Sequence, residues 1–405
     1  MKKFNKVLSV VVASAMVMAM AGCGNTDNGS AATGTNAATE SAAADNGAAS
    51  GSVFKIGGIG PTTGGAAVYG LAVQHGAEIA VEEINAAGGI NGYRVEFKFQ
   101  DDEADAEKSV NAYNALKDWG AQVLDGSTTS GACIAVTDKT KEDNMFQITP
   151  SGSAVECVQY DNNFRVCFSD PNQGLASAQY IGENGLAEKI AVIYDSSDVY
   201  SSGIYEKFVK EAENQPFEVV AAEAFTADNK TDFSVQLQKA KDAGADMVFL
   251  PIYYQESALI LTQAAAMGYA PKWFSCDGMD GILGGVDNFD VSLTEGVMLL
   301  TPFAADATDD LTQSFVTKYK EKYGETPNQF AADSYDAIYV IKAAIEKSGV
   351  TPDMSVSDIC DGMKAAMTEI TVDGLTGSGM TWTADGEANK APKAVVIENG
   401  AYKAM

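Results

Sequence analysis

From Val53 onward, stretches with the two-residue period of a strand alternate with stretches of the 3.6-residue period of a helix, and this alternation restricts the possible folds more than any other feature. Residues 53–59 predict a strand, Gly60-Pro61-Thr62-Thr63-Gly64-Gly65 a loop, and the next segment a helix in which Val73, Ala77, Ala80 and Ile84 recur at spacings of 4, 3 and 4 before Gly88-Gly89 stops it. Residues 93–100 predict a second strand, alternating Val95, Phe97 and Phe99 against Glu96, Lys98 and Gln100. A helix over 105–119, a strand at 123–124, a helix over 130–142 and a strand over 145–149 follow. Regular alternation of this kind predicts a parallel sheet covered by helices on both faces.

The pattern restarts after Asp170-Pro171, with helices expected over 172–184, 200–214, 232–243 and 255–267 and strands over 189–194, 217–224, 247–251, 273–274 and 297–300. Long helical stretches then follow at 311–323, 329–347 and near 356–367. They are too many and too late for the second sheet, so the chain is expected to cross back and cover the first. With 46% apolar residues there is enough to build two cores. The expectation is an α/β protein of two doubly wound domains with parallel central sheets.

Ahead of this region, Lys2, Lys3 and Lys6 precede an apolar run from Val7 to Ala21, and Met20-Ala21-Gly22 lead into Cys23. The run is shorter than the roughly 20 residues needed to span a bilayer, so a cleaved secretory signal over 1–22 is the expectation. Similarity to bacterial lipoprotein signals implies that Cys23 carries lipid and anchors the protein to the outer face of the cell membrane. Residues 23–52, after the cysteine, are small and polar and predict a flexible tether. The balance of 27 Lys and Arg against 55 Asp and Glu, a net charge of −28, excludes nucleic acid as a partner.

Five cysteines remain, in a compartment where disulfides persist. Cys157 and Cys167 flank the turn-like Tyr160-Asp161-Asn162-Asn163 and are the pair that is able to bridge; the other reading makes all five small buried apolar residues. Their spacing fits no zinc site, and the one histidine, His75, falls within a helix, so neither a metal nor a cofactor is expected. Gly58-Ile59-Gly60 fails as a dinucleotide fingerprint because Thr63 replaces the third glycine and Asp101 lies 43 positions from Gly58, against about 20 in the motif. Without a nucleophile elbow, a P-loop or a second histidine, enzymatic chemistry is unsupported.

Hydroxyl, amide and carboxylate groups instead gather at predicted strand ends, where open α/β sheets bind ligands. They lie in Ser127-Thr128-Thr129-Ser130-Gly131, Thr149-Pro150-Ser151-Gly152-Ser153, Tyr194-Asp195-Ser196-Ser197-Asp198-Val199-Tyr200, Tyr253-Tyr254-Gln255 and Cys276-Asp277-Gly278-Met279-Asp280. A helix N-terminus with a serine holds a carboxylate without arginine, and a carboxylate from the opposite domain pairs with an ammonium. Helix capping is the alternative role for Ser130 and Asp277.

The run Ala80-Val81-Glu82-Glu83-Ile84-Asn85-Ala86-Ala87-Gly88-Gly89-Ile90-Asn91-Gly92, followed by Phe99-Gln100-Asp101-Asp102, resembles the leucine/isoleucine/valine-binding proteins of ABC importers. The likeness continues through Thr129-Ser130-Gly131, Ile148-Thr149-Pro150-Ser151, Phe164-Arg165-Val166-Cys167, Asp232-Phe233-Ser234 and Ala331-Ala332-Asp333-Ser334-Tyr335-Asp336-Ala337. It implies the type I periplasmic binding protein fold, with an N-terminal lobe of 53–169 plus 303–393, a C-terminal lobe of 170–302 plus 394–405, and hinge crossings near Ser169-Asp170, Thr301-Pro302 and Ala394. It further implies that Ser130 bonds the ligand carboxylate, that Ser153 contacts carboxylate and ammonium, and that the Ser151 carbonyl accepts from the ammonium. Tyr200 then lies over the ligand, Asp277 neutralises the ammonium, and Tyr69 and Tyr253 form an aromatic wall. The chain departs from the family in having Asp277 where glutamate is frequent, Ser153 for the usual threonine and Ala104 for one disulfide cysteine.

These readings converge on a lipid-anchored extracytoplasmic receptor that delivers a branched-chain or other apolar amino acid to an ABC permease and its ATPase. A sensory amino-acid-binding module shares the same residues, and a short amide or urea is the alternative ligand.

Overall fold

The computed structural model describes residues 51–405. The expected leader over 1–22, the lipidated Cys23 and the tether up to residue 50 lie outside the described residues. The first elements are β1 (Val53–Gly60), α1 (Ala67–Ala86), β2 (Arg94–Asp101), α2 (Ala106–Trp119), β3 (Val123–Asp125), α3 (Ser130–Asp143), β4 (Phe146–Thr149) and β5 (Asn163–Arg165). There follow α4 (Asp170–Glu183), β6 (Lys189–Asp195), α5 (Val199–Ala212), β7 (Glu218–Phe225), α6 (Ser234–Asp242), β8 (Met247–Leu250), α7 (Tyr254–Ala266), β9 (Lys272–Ser275) and β10 (Met298–Thr301). The chain ends with α8 (Asp310–Tyr323), α9 (Gln329–Ser348), α10 (Val356–Met367), β11 (Lys393–Glu398) and β12 (Ala401–Ala404).

Strands β1 to β5 form a five-stranded sheet in the order 2-1-3-4-5, parallel throughout. The remaining strands form a seven-stranded sheet in the order 12-11-10-9-8-6-7, in which β6 to β10 are parallel and β11 and β12 run antiparallel at one edge. Each lobe is therefore doubly wound, with its order reversing beside the first strand of the unit, which is where such sheets open a crevice at their carboxyl ends. Helix α1 buries the face carrying Tyr69, Val73, Ala77, Ala80 and Ile84. It ends at Gly88 and Gly89, whose φ of +103° and +82° no β-carbon tolerates easily. Helices α8 to α10 return to the first sheet: α9 packs on α1, β3 and β4, α8 on α1, and α10 on α9 and β4.

The bridge expected as possible between Cys157 and Cys167 is not formed, and all five described cysteines are free and buried. Cys157 packs with Cys133 and Ala154 against α3. Cys167, beyond β5, lies near the charges of Asp333, Asp277 and Lys390 as well as Arg165, which acts on Cys157 too. The short strand β5 between them carries the two thiols to different surroundings, so the turn at Tyr160 to Asn163 does not bring them together.

Candidate functional site

The carboxyl ends of β3 and β4 carry the first wall. Ser130 opens α3, and the side chain of Thr129 before it makes no capping bond. The Ser130 hydroxyl accepts from the backbone N–H of Ser153 and of Ala154, both at 3.1 Å. With both lone pairs engaged, only its proton is left to offer. Ser151 donates to the Thr128 carbonyl at 2.6 Å, and Thr129 Oγ1 is buried with no partner. The loop is held from behind by Arg165, a fully buried side chain whose guanidinium donates to the carbonyls of Ser153 and Ala154 and pairs with Glu387 at 3.4 Å.

The second wall comes from the ends of β6, β8 and β9. Asp198 caps α5 through Tyr200 N at 3.3 Å, starting that helix directly after β6 and setting Tyr200 over the sheet end. The Tyr200 hydroxyl donates to Asp277 Oδ1 at 2.6 Å and accepts from Gly278 N at 2.9 Å. A β-carbon at Gly278 would lie 2.5 Å from that hydroxyl, so only glycine leaves room for the ring. Asp277 is 6% exposed. Burial pushes its carboxyl up to about 6, against the lowering pull of the Tyr200 and Gln173 bonds.

The two walls meet. Tyr69, from the first lobe, donates to the Gly278 carbonyl and accepts from Tyr254 N at 3.2 Å in the second. Its ring lies 5.5 Å from Tyr253 edge-on and 4.4 Å from Phe330, while Tyr253 stacks on Tyr200 at 5.0 Å. Between these aromatics, Ser130 and Asp277 there remains a cavity of about 20 Å³, room for about one water. No lysine or arginine lines it. The arrangement offers donors and a helix N-terminus on one side, a carboxylate on the other and rings between, which suits a small zwitterion once the lobes part.

Of the residues singled out in the sequence, Tyr69, Ser130, Ser151, Tyr200, Tyr253 and Asp277 line this one cavity. Ser153 stands just behind, its hydroxyl 3.4 Å from that of Ser130. Thr128, Thr129, Gly278 and Phe330 line it too. Phe330 was not singled out in the sequence, because it belongs to the apolar stripe of α9 and no sequence signal separates it. Asp170, expected only as part of a hinge crossing, was not read as a site residue: it is 1% exposed at the start of α4, and neither carboxylate oxygen has a partner at hydrogen-bond distance. Burial holds its carboxyl well above the usual range, and the Asp277 charge adds to that while Ser153 opposes it.

A profile described as periplasmic binding protein matches residues 53–401. The chain belongs to the periplasmic binding protein family. Within it, the chain is 31% identical over 300 residues to Leu/Ile/Val-binding protein homolog 3 of Brucella melitensis, covering 74% of this chain and 80% of that relative. It is 30% identical to the leucine-, isoleucine-, valine-, threonine- and alanine-binding protein of Pseudomonas aeruginosa, over 73% of this chain and 79% of that one. Among solved structures, LivJ of Streptococcus pneumoniae in complex with isoleucine superposes with a TM-score of 0.78 at 28% identity, covering 87% of this chain and all but 1% of that one, 99%. An R. palustris solute-binding protein in complex with benzoate shares the fold at a TM-score of 0.76 and 20% identity, over 87% of this chain and 95% of that one. As a periplasmic binding protein, the chain is an extracytoplasmic solute-binding protein of the transporter type and not an enzyme.

Proposed function

We propose that the cleft between the two lobes binds a branched-chain or other apolar amino acid and delivers it to an ABC permease and its ATPase, the protein being held at the membrane by lipid on Cys23. One observation carries the reading: Ser130, restricted to donating, and Asp277, a buried carboxylate, face each other across a cavity walled by Tyr69, Tyr200, Tyr253 and Phe330. A ligand carboxylate belongs at the Ser130 end and its ammonium at Asp277. Crossings at Ser169-Asp170, Thr301-Pro302 and Ala394 act as the hinge, and the ligand favours closure because only then do both walls touch it.

Relatives named for leucine, isoleucine and valine support the ligand class. A ligand with a carboxylate alone, such as benzoate, would bring no charge to offset buried Asp277, which disfavours it here. Thermal-shift and calorimetric screening against the common amino acids, benzoate and urea tests the proposal. Leucine, isoleucine or valine at 100 times its dissociation constant stabilises by about 2.7 kcal/mol. Tightest binding to benzoate or to urea refutes it.

A further inference from the structure

A second cavity, of about 650 Å³, is lined by Asp280 and the loop that follows it, just after the turn that carries Asp277. Its walls come from both lobes: Leu71 on α1 and Val316 on α8 from the first, Asp280 and Leu283 from the loop after β9 in the second. That loop is pressed onto α1, since a β-carbon at Gly281 or Gly285 would meet the Val68 side chain at 2.7 or 2.6 Å. Asp280 is 4% exposed and its Oδ2 accepts from Gln329 N, at the start of α9, at 2.9 Å. Its Oδ1 is buried with no group at hydrogen-bond distance, although the Tyr402 hydroxyl on the same cavity wall pulls the carboxyl down against the effect of burial. An unpaired carboxylate oxygen out of water is disfavoured until a donor reaches it. Asp306 and Glu325 stand at the rim with Lys320 the one cation among the lining residues, so the field favours a positive guest.

We infer that this cavity is a second ligand site, which takes a small protonated amine with an apolar body. The ammonium bonds Asp280 Oδ1, and the body lies on Leu71, Leu283 and Val316. Gln329 ties the two sites together, because its side-chain amide donates to the Asp277 carbonyl at 2.9 Å while its backbone holds Asp280. The guest touches both lobes and therefore favours one lobe angle over others. The site stands on its own geometry; only its bearing on the first cleft rests on the function proposed above.

The test is calorimetric titration of the whole protein with phenethylamine and with 2-phenylethanol, its uncharged counterpart, in the wild type, Asp280→Asn and Leu71→Trp, with and without saturating leucine. Phenethylamine should bind once, about tenfold or more tighter than the alcohol, and both variants should weaken it by about tenfold or more. Leu71→Trp fills the cavity from a half-exposed helix position, so it reports on the site even where Asp280→Asn fails to fold. Amine affinity that falls without limit as leucine is raised, unchanged binding in Leu71→Trp, or no binding at millimolar amine overturns the inference. Amine binding by protein that takes no leucine supports the second site and overturns the reading of the first.

Discussion

Asp277→Asn isolates the charge on which the proposed ammonium contact depends. The substitution is nearly isosteric, and the amide oxygen still accepts from the Tyr200 hydroxyl that now bonds Oδ1 at 2.6 Å. What disappears is the negative charge, in a place 6% exposed and without any lining cation. Leaving an ammonium buried and unpaired costs about 3 to 5 kcal/mol. At about 1.4 kcal/mol per decade that is roughly a hundredfold to several-thousandfold loss of leucine affinity. The acid limb supplies a second signature. Because burial raises the Asp277 carboxyl to about 6 in the unliganded protein, an ammonium ligand must first displace a proton below that pH. Wild-type affinity should hold at pH 7.5 and fall by about tenfold per pH unit below 6. Calorimetry with leucine and with 4-methylpentanoic acid, which lacks the amino group, between pH 5 and 8 reads both effects. Equal losses for the two ligands on mutation, or a variant whose acid limb matches the wild type, would refute the reasoning.

Ser130→Ala should weaken the amino acid by about 1.5 to 3 kcal/mol, the worth of a hydrogen bond to a charged group; unchanged affinity with a lowered melting temperature would reduce Ser130 to a brace for Ser153 and Ala154. Asp125 is fully buried, accepts from Ser334 at 2.8 Å and is raised by burial to about 7. The folded protein thus holds this proton more tightly than the unfolded chain, and stability drains as pH rises from about 4 to 7, by up to about 1.4 kcal/mol per unit. Asp125→Asn lacks that slope, so its melting temperature should gain on the wild type as pH rises from 5 to 8, and a pH-independent difference would contradict the assignment. Cys23→Ser should leave the protein unprocessed or released from membranes on cell fractionation; processed mutant retained there as fully as wild type would sink the lipid anchor.

Much of the architecture is legible in the sequence because parallel strands buried on both faces, such as β8 with its run Met247 to Leu250, stand out against amphipathic helices. Helix starts are equally plain where a side chain caps them, as Asp105 caps α2 by accepting from Lys108 N at 2.9 Å. Strands β5, β11 (Lys393–Glu398) and β12 went unread. Strand β5 has three residues and no period to detect, and β12 alternates Ala401, Tyr402, Lys403 and Ala404 too weakly to declare a strand. Site residues on loops after strands were legible through their hydroxyls and carboxylates. Phe330 was not, because a cavity-facing ring and a core ring on the same helix look alike; nor was the role of Asp170, whose burial at the start of α4 only the folded chain shows. Of the two cysteine readings the one with five small buried residues holds and the Cys157–Cys167 bridge does not form, because proximity along the chain does not report where each thiol packs.

The double acceptance at Ser130 has an effect on which ligands are admitted, separate from how tightly they bind. A hydroxyl ordinarily adjusts to its guest by rotating between giving and receiving a proton. With Ser153 N and Ala154 N both at 3.1 Å, this one has lost that freedom. The cleft therefore has a direction written into it, with one pole that only donates and another, at Asp277, that accepts. An amino acid bound as proposed would fit in a single orientation, since its mirror arrangement along the cleft would set ammonium against hydroxyl proton and carboxylate against carboxylate. In the proposed arrangement simple amines would lose the first pole and dicarboxylates would clash at the second, so polarity would sort solutes before side-chain shape is consulted.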